Sequence, residues 1–469
     1  MLKPQIFKAN DIRGVVGAEW DAEGARALGA AFARAFDLDG HTFVLSRDMR
    51  QTGPALAKAF IQGATEAGAS VVDVGLASTD GLWFASGFLR LPGVQFTASH
   101  NPGQYNGVKF CQADAAPITP ALMAKIREFA GQDLPPAKTP GTVSHRDILD
   151  DYAAHLRGLV DLSGVHGLKI VVDAGNGMAG LTTPAILGPL DAEITGLYLD
   201  LDGSFPNHPP NPLEPENLVD AQRAVREAGA DIGLVFDGDA DRCFIIDERG
   251  EVVSPSVITA LVARDVLARE PGAAIVVNTI TSRVVADTVA AAGGRLIVSK
   301  VGHTYIKAHM AAENAVFGGE HSAHYYFRDF WGADTGMLAA LTVIGLMTRA
   351  GESRLRREKS ELVRSSELIE GPRESISALV AELPRYAASG ELNTTVADPR
   401  AVMDEVAVAF PEGEVSHPDG LFITGDGWWL SVRESNTEPL LRLNVEAAED
   451  ETMAALRDRA LAVIRKDQA

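Results

Sequence analysis

Residues 91–107 have the sequence LPGVQFTASHNPGQYNG, an apolar run followed by a turn that carries one serine, Ser99. The Asn-Pro-Gly triplet after it is typical of a tight turn at the end of a strand. We expect the Ser99 hydroxyl to be exposed there, among small neighbours. No Gly-x-Ser-x-Gly elbow surrounds this serine, so nothing local supports an esterase. Because serine alone is a weak nucleophile, a base, a metal or a prior modification must activate it.

The composition of the chain is that of a soluble globular protein. Of its 469 residues, 46% are hydrophobic and 22% are charged, and the length alone predicts about three domains. The net charge of -21 argues against nucleic acid as a partner, since neutralising phosphates requires a basic face. An anionic substrate must therefore be bound by a local cluster of Arg, Lys and His.

Three further features predict a cytoplasmic protein that does not bind a membrane. The two cysteines, Cys111 and Cys243, are far apart and lack metal-ligand spacing, which is typical of reduced thiols. The N-terminal residues lack the continuous apolar run of a signal peptide. The apolar run at 337–347 is too short to span a bilayer, and we interpret it as a buried helix.

The order of strand, polar loop and helix recurs three times along the chain and predicts three similar α/β units. A smaller α+β region follows them and ends in a helix near 449–465. The predicted boundaries lie near a proline-rich connection at 133–140, a turn at 247–250 and a charged helical stretch at 354–366. The predicted domains are 1–146, 147–251, 252–366 and 367–469.

Individual elements can also be predicted from the apolar runs and from the segments rich in Ala and Leu. The expected strands are 41–46, 70–74, 168–172, 232–236, 274–277 and 295–298. The expected helices are 25–36, 54–67, 147–159, 219–228, 256–268 and 282–292.

Three carboxylates at alternate positions, Asp237, Asp239 and Asp241, follow the apolar strand at 232–236. Gly238 and Ala240 allow the tight curl that would aim the carboxylates at one point. A hard cation such as Mg²⁺ prefers oxygen ligands in this arrangement, and without a cation the like charges would repel. A solvated turn rich in Asp is the alternative, but a metal site explains three such charges better.

Two more loops carry clusters of polar side chains. Residues 432–439 (VRESNTEP) combine an arginine, which can bind a phosphate through two hydrogen bonds, with several neutral donors. A capping turn would use the same residue types, and this loop alone does not decide between the two. Residues 318–324 (GGEHSAH) offer Glu320 and Ser322 to sugar hydroxyls, beside paired glycines that allow close approach.

Taken in order, these motifs resemble the α-D-phosphohexomutase superfamily, and in particular its bacterial phosphomannomutase/phosphoglucomutase branch. Residues 97–102 resemble the phosphoserine loop, 237–242 the metal loop, 320–324 the sugar loop and 433–439 the phosphate loop. The resemblance runs from Phe7 to the final helix. It implies an α/β fold of three α/β/α domains with mixed sheets. A C-terminal α+β domain similar to TATA-binding protein completes the implied fold around a central cleft.

The resemblance also implies roles for residues. Ser99 would carry the phosphoryl group and, with Asp237, Asp239 and Asp241, hold Mg²⁺. Arg13, Lys109, His303 and Arg242 would serve catalysis, the first three through proton handling and charge stabilisation and Arg242 beside the phosphoryl group. The substrate would be bound by Glu320, Ser322, His324, Arg433, Ser435, Asn436 and Thr437.

Several positions depart from the usual family pattern. Asn10 replaces a common Tyr, Val301 a common Thr, and Ala240 and Ala323 common glycines. His321 replaces the usual Met, where phosphoglucosamine mutases usually carry Gln, so that activity is less favoured. None of these changes removes a catalytic ligand, but they leave the sugar preference open.

The implied function is a phosphohexomutase that interconverts mannose 6-phosphate and mannose 1-phosphate, and also glucose phosphates. Hexose 1,6-bisphosphate would be both intermediate and activator, and small hexose phosphates would be the partners. Phosphoglucomutase and phosphoglucosamine mutase are the alternatives within the family. A phosphatase that acts through phosphoserine, or a non-catalytic phosphosugar-binding protein, would belong to another class. The sequence leaves open whether the protein is a monomer or a dimer.

Overall fold

The structure, a computed structural model, describes residues 2–8, 11–360, 373–434 and 440–466, with no account of side chains at 350–360. Its contacts divide the chain into two units. The first unit contains Met1–Ile258 and Ser322–Val380. The second contains Thr259–His321 and Ala381–Ala469. The predicted four-domain boundaries stay a prediction.

The first sheet is mixed, with six strands in the order β1-β5-β4-β2-β3-β6. Strands β2, β3, β4 and β6 run parallel to one another, whereas β5 is antiparallel to both β1 and β4. The strands are β1 (Asp11–Val15), β2 (Thr42–Arg47), β3 (Ser70–Leu76), β4 (Gly93–Phe96), β5 (Tyr105–Cys111) and β6 (Val143–His145).

Four helices accompany this sheet: α1 (Ala22–Ala35), α2 (Gly53–Glu66), α3 (Thr79–Leu89) and α4 (Pro120–Ala130). Polar side chains fix three of their starts, because Asp21, Ser78 and Thr119 each accept a hydrogen bond from a first-turn N–H group. Burying the apolar faces of α1 and α2 against the sheet orders the core and holds the end of β4, where Ser99 follows.

A second mixed sheet has the order β11-β10-β9-β7-β8. Its strands are β7 (His166–Asp173), β8 (Asp191–Leu197), β9 (Ile232–Phe236), β10 (Cys243–Ile246) and β11 (Val252–Val253). Its helices are α5 (Leu149–Gly158), α6 (Ala179–Ile186) and α7 (Val219–Ala228). Every residue of β9 is buried, as its unbroken apolar sequence predicts, and the three aspartates follow its last residue.

Helix α8 (Pro255–Arg269) contains the boundary between the units. In the second unit, β12 (Ala274–Asn278) pairs in parallel with both β13 (Arg295–Ser299) and β14 (Phe317–Gly319). Helices α9 (Arg283–Ala291) and α10 (His303–Ala312) join these strands.

The first unit resumes with an antiparallel pair, β15 (Tyr325–Phe327) and β16 (Ala333–Asp334), and with helix α11 (Gly336–Ser360). The apolar run at 337–347 is buried within α11, which confirms the predicted buried helix. Of the charged stretch predicted at 354–366, residues 361–366 lie outside the described residues.

An antiparallel sheet of six strands forms the C-terminal part of the second unit. Its strands are β17 (Ala387–Ala388), β18 (Leu392–Thr395), β19 (Glu414–Ser416), β20 (Leu421–Gly425), β21 (Trp428–Glu434) and β22 (Leu440–Ala447). Helix α12 (Ile376–Ala381) precedes it, and α13 (Pro399–Ala409) and α14 (Asp450–Ile464) pack on it. Among the described helices, none combines the length and hydropathy needed to cross a bilayer.

Candidate active site

Ser99 lies in the turn after β4 and has a left-handed backbone conformation, with φ of 51°. Its N–H donates to Thr97 Oγ1 at 2.9 Å, and its hydroxyl donates to Asp237 Oδ2 at 2.9 Å. The expectation of an exposed hydroxyl is wrong, because Ser99 is only 3% exposed. The loop after β9, 138 residues further along the chain, covers it.

The three aspartates converge as predicted. Asp237, Asp239 and Asp241 are fully buried, and one carboxylate oxygen from each lies within 4.8 Å of the others. Ala240 has a positive φ of 61°, and this curls the loop so that alternate side chains face one point. Three buried carboxylates at this spacing are stable only with cations beside them.

Two cationic side chains of the same unit supply part of that charge. Lys109 Nζ, from β5, lies 2.7 Å from Asp239 Oδ2 and 2.6 Å from Asp241 Oδ2. Arg242 Nε donates to Asp237 Oδ2 at 2.9 Å, and Arg242 Nη2 lies 3.3 Å from Ser99 Oγ. The cluster therefore keeps one net negative charge when its carboxylates are ionised.

The pKa values of the carboxylates separate within this cluster. Burial raises the pKa of Asp237 to about 7, because the lost solvation outweighs the Arg242 guanidinium. Burial also opposes ionisation of Asp239, but the adjacent Lys109 ammonium and the Thr79 hydroxyl outweigh it and lower its pKa. For Lys109, burial is outweighed by the two carboxylates, which raise the pKa of its ammonium.

The donor set fits a hard divalent cation. The Oδ1 atoms of Asp239 and Asp241 are buried and have no hydrogen-bond donor among the described residues. Oxygen ligands of this kind suit Mg²⁺ better than a softer metal. A cation beside Asp237, Asp239, Asp241 and Ser99 Oγ would also balance the charge of a phosphoserine.

Other predicted residues of the first unit lie against the loop after β4 that carries Ser99, the serine loop (97–102), or against the loop after β9 that carries the three aspartates. Arg13, on β1, donates through Nη1 to Asn101 Oδ1 at 2.8 Å in the serine loop. His324 Nδ1 is hydrogen-bonded to Ser322 Oγ at 2.8 Å, and its Nε2 lies 3.6 Å from Asp241 Oδ1. His324 was predicted only as a substrate ligand, yet it reaches the metal loop.

His100 follows Ser99 and is hydrogen-bonded to Arg242 Nη2. Burial lowers its pKa well below the ordinary histidine value, and the adjacent guanidinium adds to this effect. The ring is therefore neutral and is held in the loop by this contact with Arg242.

In the second unit, the Glu320 carboxylate is held in place after β14. Its Oε1 accepts hydrogen bonds from Asn278 Nδ2 at 3.1 Å and from the Gly302 N–H at 3.2 Å. Gly302 has a φ of 132° and precedes His303, the first residue of α10. Parallel strands β12 and β14 place Asn278 and Glu320 at the same edge of their sheet.

Arg433 lies near the end of β21, and its Nη2 donates to Glu391 Oε2 at 2.6 Å. Its Nε is buried and donates to no acceptor among the described residues, which leaves it available to an anion. Burial lowers the pKa of His321, which the charges of Glu391 and Arg433 also influence. The remaining predicted phosphate ligands, Ser435, Asn436 and Thr437, lie outside the described residues, as does Asn10.

Three residues that contact the predicted groups were not predicted. Thr79 Oγ1 donates to Asp239 Oδ2 at 2.6 Å, Asn278 holds Glu320, and Glu391 pairs with Arg433. No motif surrounds any of them. A polar side chain at the end of a buried strand is the only sequence signal, and it applies to Asn278 alone.

Comparison with known proteins extends these observations to the whole chain. Three family models, described as phosphoglucomutase/phosphomannomutase alpha/beta/alpha domains I, II and III, match residues 4–134, 150–250 and 254–365. The model of the C-terminal domain of that family matches residues 391–463. The order of these matches confirms the predicted fold class.

Relatives and solved structures agree with the family models. The chain is 38% identical to a phosphomannomutase of Salmonella typhimurium, over 98% of this chain and 99% of that protein. It is 35% identical to a phosphomannomutase/phosphoglucomutase of Pseudomonas putida, over 97% of this chain and 95% of that protein. A family protein from Burkholderia thailandensis superimposes with a TM-score of 0.86 at 31% identity, covering 100% of this chain and 98% of that one.

A more distant structure supports the fold alone. It is an Aspergillus fumigatus N-acetylphosphoglucosamine mutase in complex with GlcNAc-6P and magnesium, with a TM-score of 0.61 and 13% identity over 98% and 96% of the two chains. Taken together, the matches define an enzyme of the mutase type, which is a class of isomerase. The chain belongs to the phosphoglucomutase/phosphomannomutase family.

Proposed function

We propose that the chain interconverts mannose 6-phosphate and mannose 1-phosphate through a phosphoserine at Ser99 and a hexose 1,6-bisphosphate intermediate. One observation carries this proposal: Ser99 Oγ lies 2.9 Å from Asp237 Oδ2, inside a buried cluster of carboxylates and cations. Glucose phosphates are a second substrate class, favoured by the dual name of the Pseudomonas putida relative.

In the first half-reaction the bond between Ser99 Oγ and phosphorus breaks, and a bond from phosphorus to a sugar hydroxyl oxygen forms. The proton of the attacking sugar hydroxyl passes to a base while the departing Ser99 oxygen takes up a proton, and the second half-reaction reverses both transfers when the other phosphoryl group moves to Ser99. Such transfers depend mainly on positioning and on neutralising the charge of the phosphoryl oxygens. Arg242 Nη2 lies 3.3 Å from Ser99 Oγ, and this contact supports a role for Arg242 in neutralising that charge.

The proposal assigns charge stabilisation and proton transfer to three further residues, Arg13, Lys109 and His303. Arg13 stays charged, and the raised pKa of Lys109 keeps its ammonium protonated, so both stabilise charge. The imidazole of His303 is the only one of the three side chains that can accept a hydroxyl proton. Glu320, Ser322 and His324 are proposed to bind the sugar, and Arg433 with Ser435, Asn436 and Thr437 the distal phosphate.

Mg²⁺ is the proposed cofactor, bound by Asp237, Asp239, Asp241 and Ser99. It would neutralise phosphoryl oxygens during transfer. Hexose 1,6-bisphosphate is the proposed activator, since it can phosphorylate Ser99. We also propose the division into domains 1–146, 147–251, 252–366 and 367–469, which the positions of the four family matches support. A cytoplasmic location is consistent with the two buried free thiols.

The test is a panel of mannose, glucose and glucosamine 1-phosphates, assayed with Mg²⁺ and a trace of the matching bisphosphate. We expect conversion of mannose 1-phosphate with the highest kcat/KM and no release of free phosphate. Phosphate release equal to substrate loss would instead identify a phosphatase. Ser99→Ala should abolish turnover, whereas Ser86→Ala, a buried serine whose hydroxyl bonds Leu91 O, should retain it.

A further inference from the structure

The side chain of Arg50, in the connection between β2 and α2, is completely buried against the serine loop. Guanidinium has five N–H groups, and all five donate hydrogen bonds. Nη2 donates to the carbonyls of Ser99 and Asn101 at 2.8 and 2.7 Å. Nη1 donates to those of Pro102 and Tyr105, both at 2.9 Å. Nε donates to Asp48 Oδ2 at 3.2 Å.

Three of these carbonyls belong to the turn that presents Ser99, and the fourth belongs to Tyr105, the first residue of β5. Between β4 and β5 the backbone has no ladder of sheet hydrogen bonds, so its buried carbonyls rely on local turn bonds, such as Tyr105 N–H to Pro102 O at 3.0 Å, and on side-chain donors. Ser99 itself has a left-handed conformation, which costs free energy unless its surroundings hold it. Arg50 binds the carbonyl of that strained residue and three more carbonyls within the next six residues.

The charge of Arg50 is balanced locally and is not directed at the reacting oxygen. Asp48 is fully buried beside it, accepts from both the Arg50 side chain and its backbone N–H, and neutralises the guanidinium. The ring of Phe205 covers the guanidinium carbon at 5.2 Å. With all five donors engaged, Arg50 has none left for a phosphoryl group, in contrast to Arg242.

We propose that Arg50 is a positioning residue, which fixes the serine loop so that Ser99 Oγ faces the acidic cluster. This inference rests on the proposed role of Ser99 as the phosphoryl carrier. A planar fork with five donors is required, because an ammonium has only three donors and no fixed geometry. Arg50 therefore acts on the reaction only through the backbone of residues 99–105.

The experiment compares Arg50→Lys and Arg50→Ala with the wild-type protein, saturated with Mg²⁺. A misplacement of about 1 Å costs on the order of 100-fold in rate. We therefore expect kcat to fall by about that factor, with KM changed by less than about threefold. Amide hydrogen exchange should accelerate in peptides covering 98–105 and stay unchanged in β9. Guanidinium, below unfolding concentrations, should recover part of the kcat lost in Arg50→Ala.

Arg157→Lys is the matched control, because Arg157 Nη1 donates to the Ala185 carbonyl at 2.6 Å in the same unit, away from the loop. It should keep wild-type kcat and loop exchange. The proposal is overturned if folded Arg50→Lys keeps kcat within threefold of wild type, or if its loop exchange is unchanged. It is equally overturned if both Arg50 variants unfold while Arg157→Lys does not, since Arg50 would then serve general stability.

Failure of the proposed function would look different. A wild-type protein that converts no hexose phosphate refutes the mutase assignment. In that case the exchange rates of residues 98–105 in Arg50→Lys and Arg157→Lys still decide whether Arg50 holds the loop.

Discussion

Gly238 lies where the metal loop touches the serine loop, and a single added methyl group there tests how closely Ser99 must be placed. A Cβ at Gly238 would lie 2.5 Å from the Ser99 carbonyl oxygen. Non-bonded heavy atoms prefer separations of about 3.5 Å, so Gly238→Ala demands a displacement of roughly 1 Å. The displaced group is backbone, and Arg50 Nη2 already binds that same oxygen.

We therefore expect Gly238→Ala to lower kcat by about 100-fold, the order of loss that a 1 Å misplacement causes. That factor corresponds to about 2.7 kcal/mol in the activation barrier. KM should change little, because no predicted substrate ligand is altered. Overpacking of this kind also costs about 1–3 kcal/mol of stability, so thermal unfolding must accompany the kinetics.

The assay measures kcat and KM for mannose 1-phosphate at saturating Mg²⁺ and bisphosphate, at a temperature where circular dichroism shows the variant folded. Gly53→Ala is the control, since a Cβ there meets nothing closer than 3.7 Å, although Gly53 lies in the same unit. A folded Gly238→Ala with kcat within threefold of wild type would refute the argument that the Ser99 carbonyl must stay in place.

Three further outcomes follow from single contacts. Thr79→Val removes a buried hydrogen bond to the charged Asp239, so the free energy of unfolding should fall by about 1.5–3 kcal/mol in urea denaturation, and an unchanged midpoint would contradict this. Asn278→Asp replaces the hydrogen-bond donor to Glu320 with a like charge. KM should rise about tenfold with little change in kcat. An unchanged KM would exclude the proposed binding of the sugar by Glu320. Below pH 7 a cation must displace the proton that Asp237 binds. The affinity for Mg²⁺, measured by calorimetry, should therefore fall about tenfold per pH unit below 7 and stay level above it. Constant affinity from pH 5 to 8 would refute this linkage.

The fold follows from the sequence wherever the pattern of apolar residues is unambiguous. Strand β9 and helix α7 have the predicted bounds, because an unbroken apolar run and a strongly amphipathic segment each allow one solution. The starts of β3, β12 and β13 are also as predicted. The remaining ends shift by one to three residues, for example where the capping side chain of Asp21 places the start of α1 earlier than its apolar residues indicate. Strand β1 was not predicted, because its five residues, DIRGV, include only two large apolar side chains beside the charged Asp11 and Arg13.

The site was predictable only where its chemistry is concentrated in a short segment. Asp237, Asp239 and Asp241 are three charges in five residues, and that spacing has few explanations. Thr79 and Arg50 carry no such signal, since each acts through contacts with loops far along the chain. The same long-range packing made the expected exposure of Ser99 wrong, because nothing near residue 99 indicates that the loop after β9 will cover it.

The charges of the acidic cluster in the first unit couple phosphorylation of Ser99 to cation binding. With all three carboxylates ionised, Lys109 and Arg242 leave one net negative charge, and His100 adds none because its ring is neutral. Adding a phosphoserine dianion alone would concentrate three negative charges in a buried site, whereas adding a divalent cation alone would leave one positive charge. With both present the balance returns to one negative charge. Each therefore lowers the free-energy cost of the other, and this coupling must be reciprocal. The charge of the acidic loop thus suits a phosphorylated Ser99 and a bound cation together, which is the state from which the proposed transfer would begin.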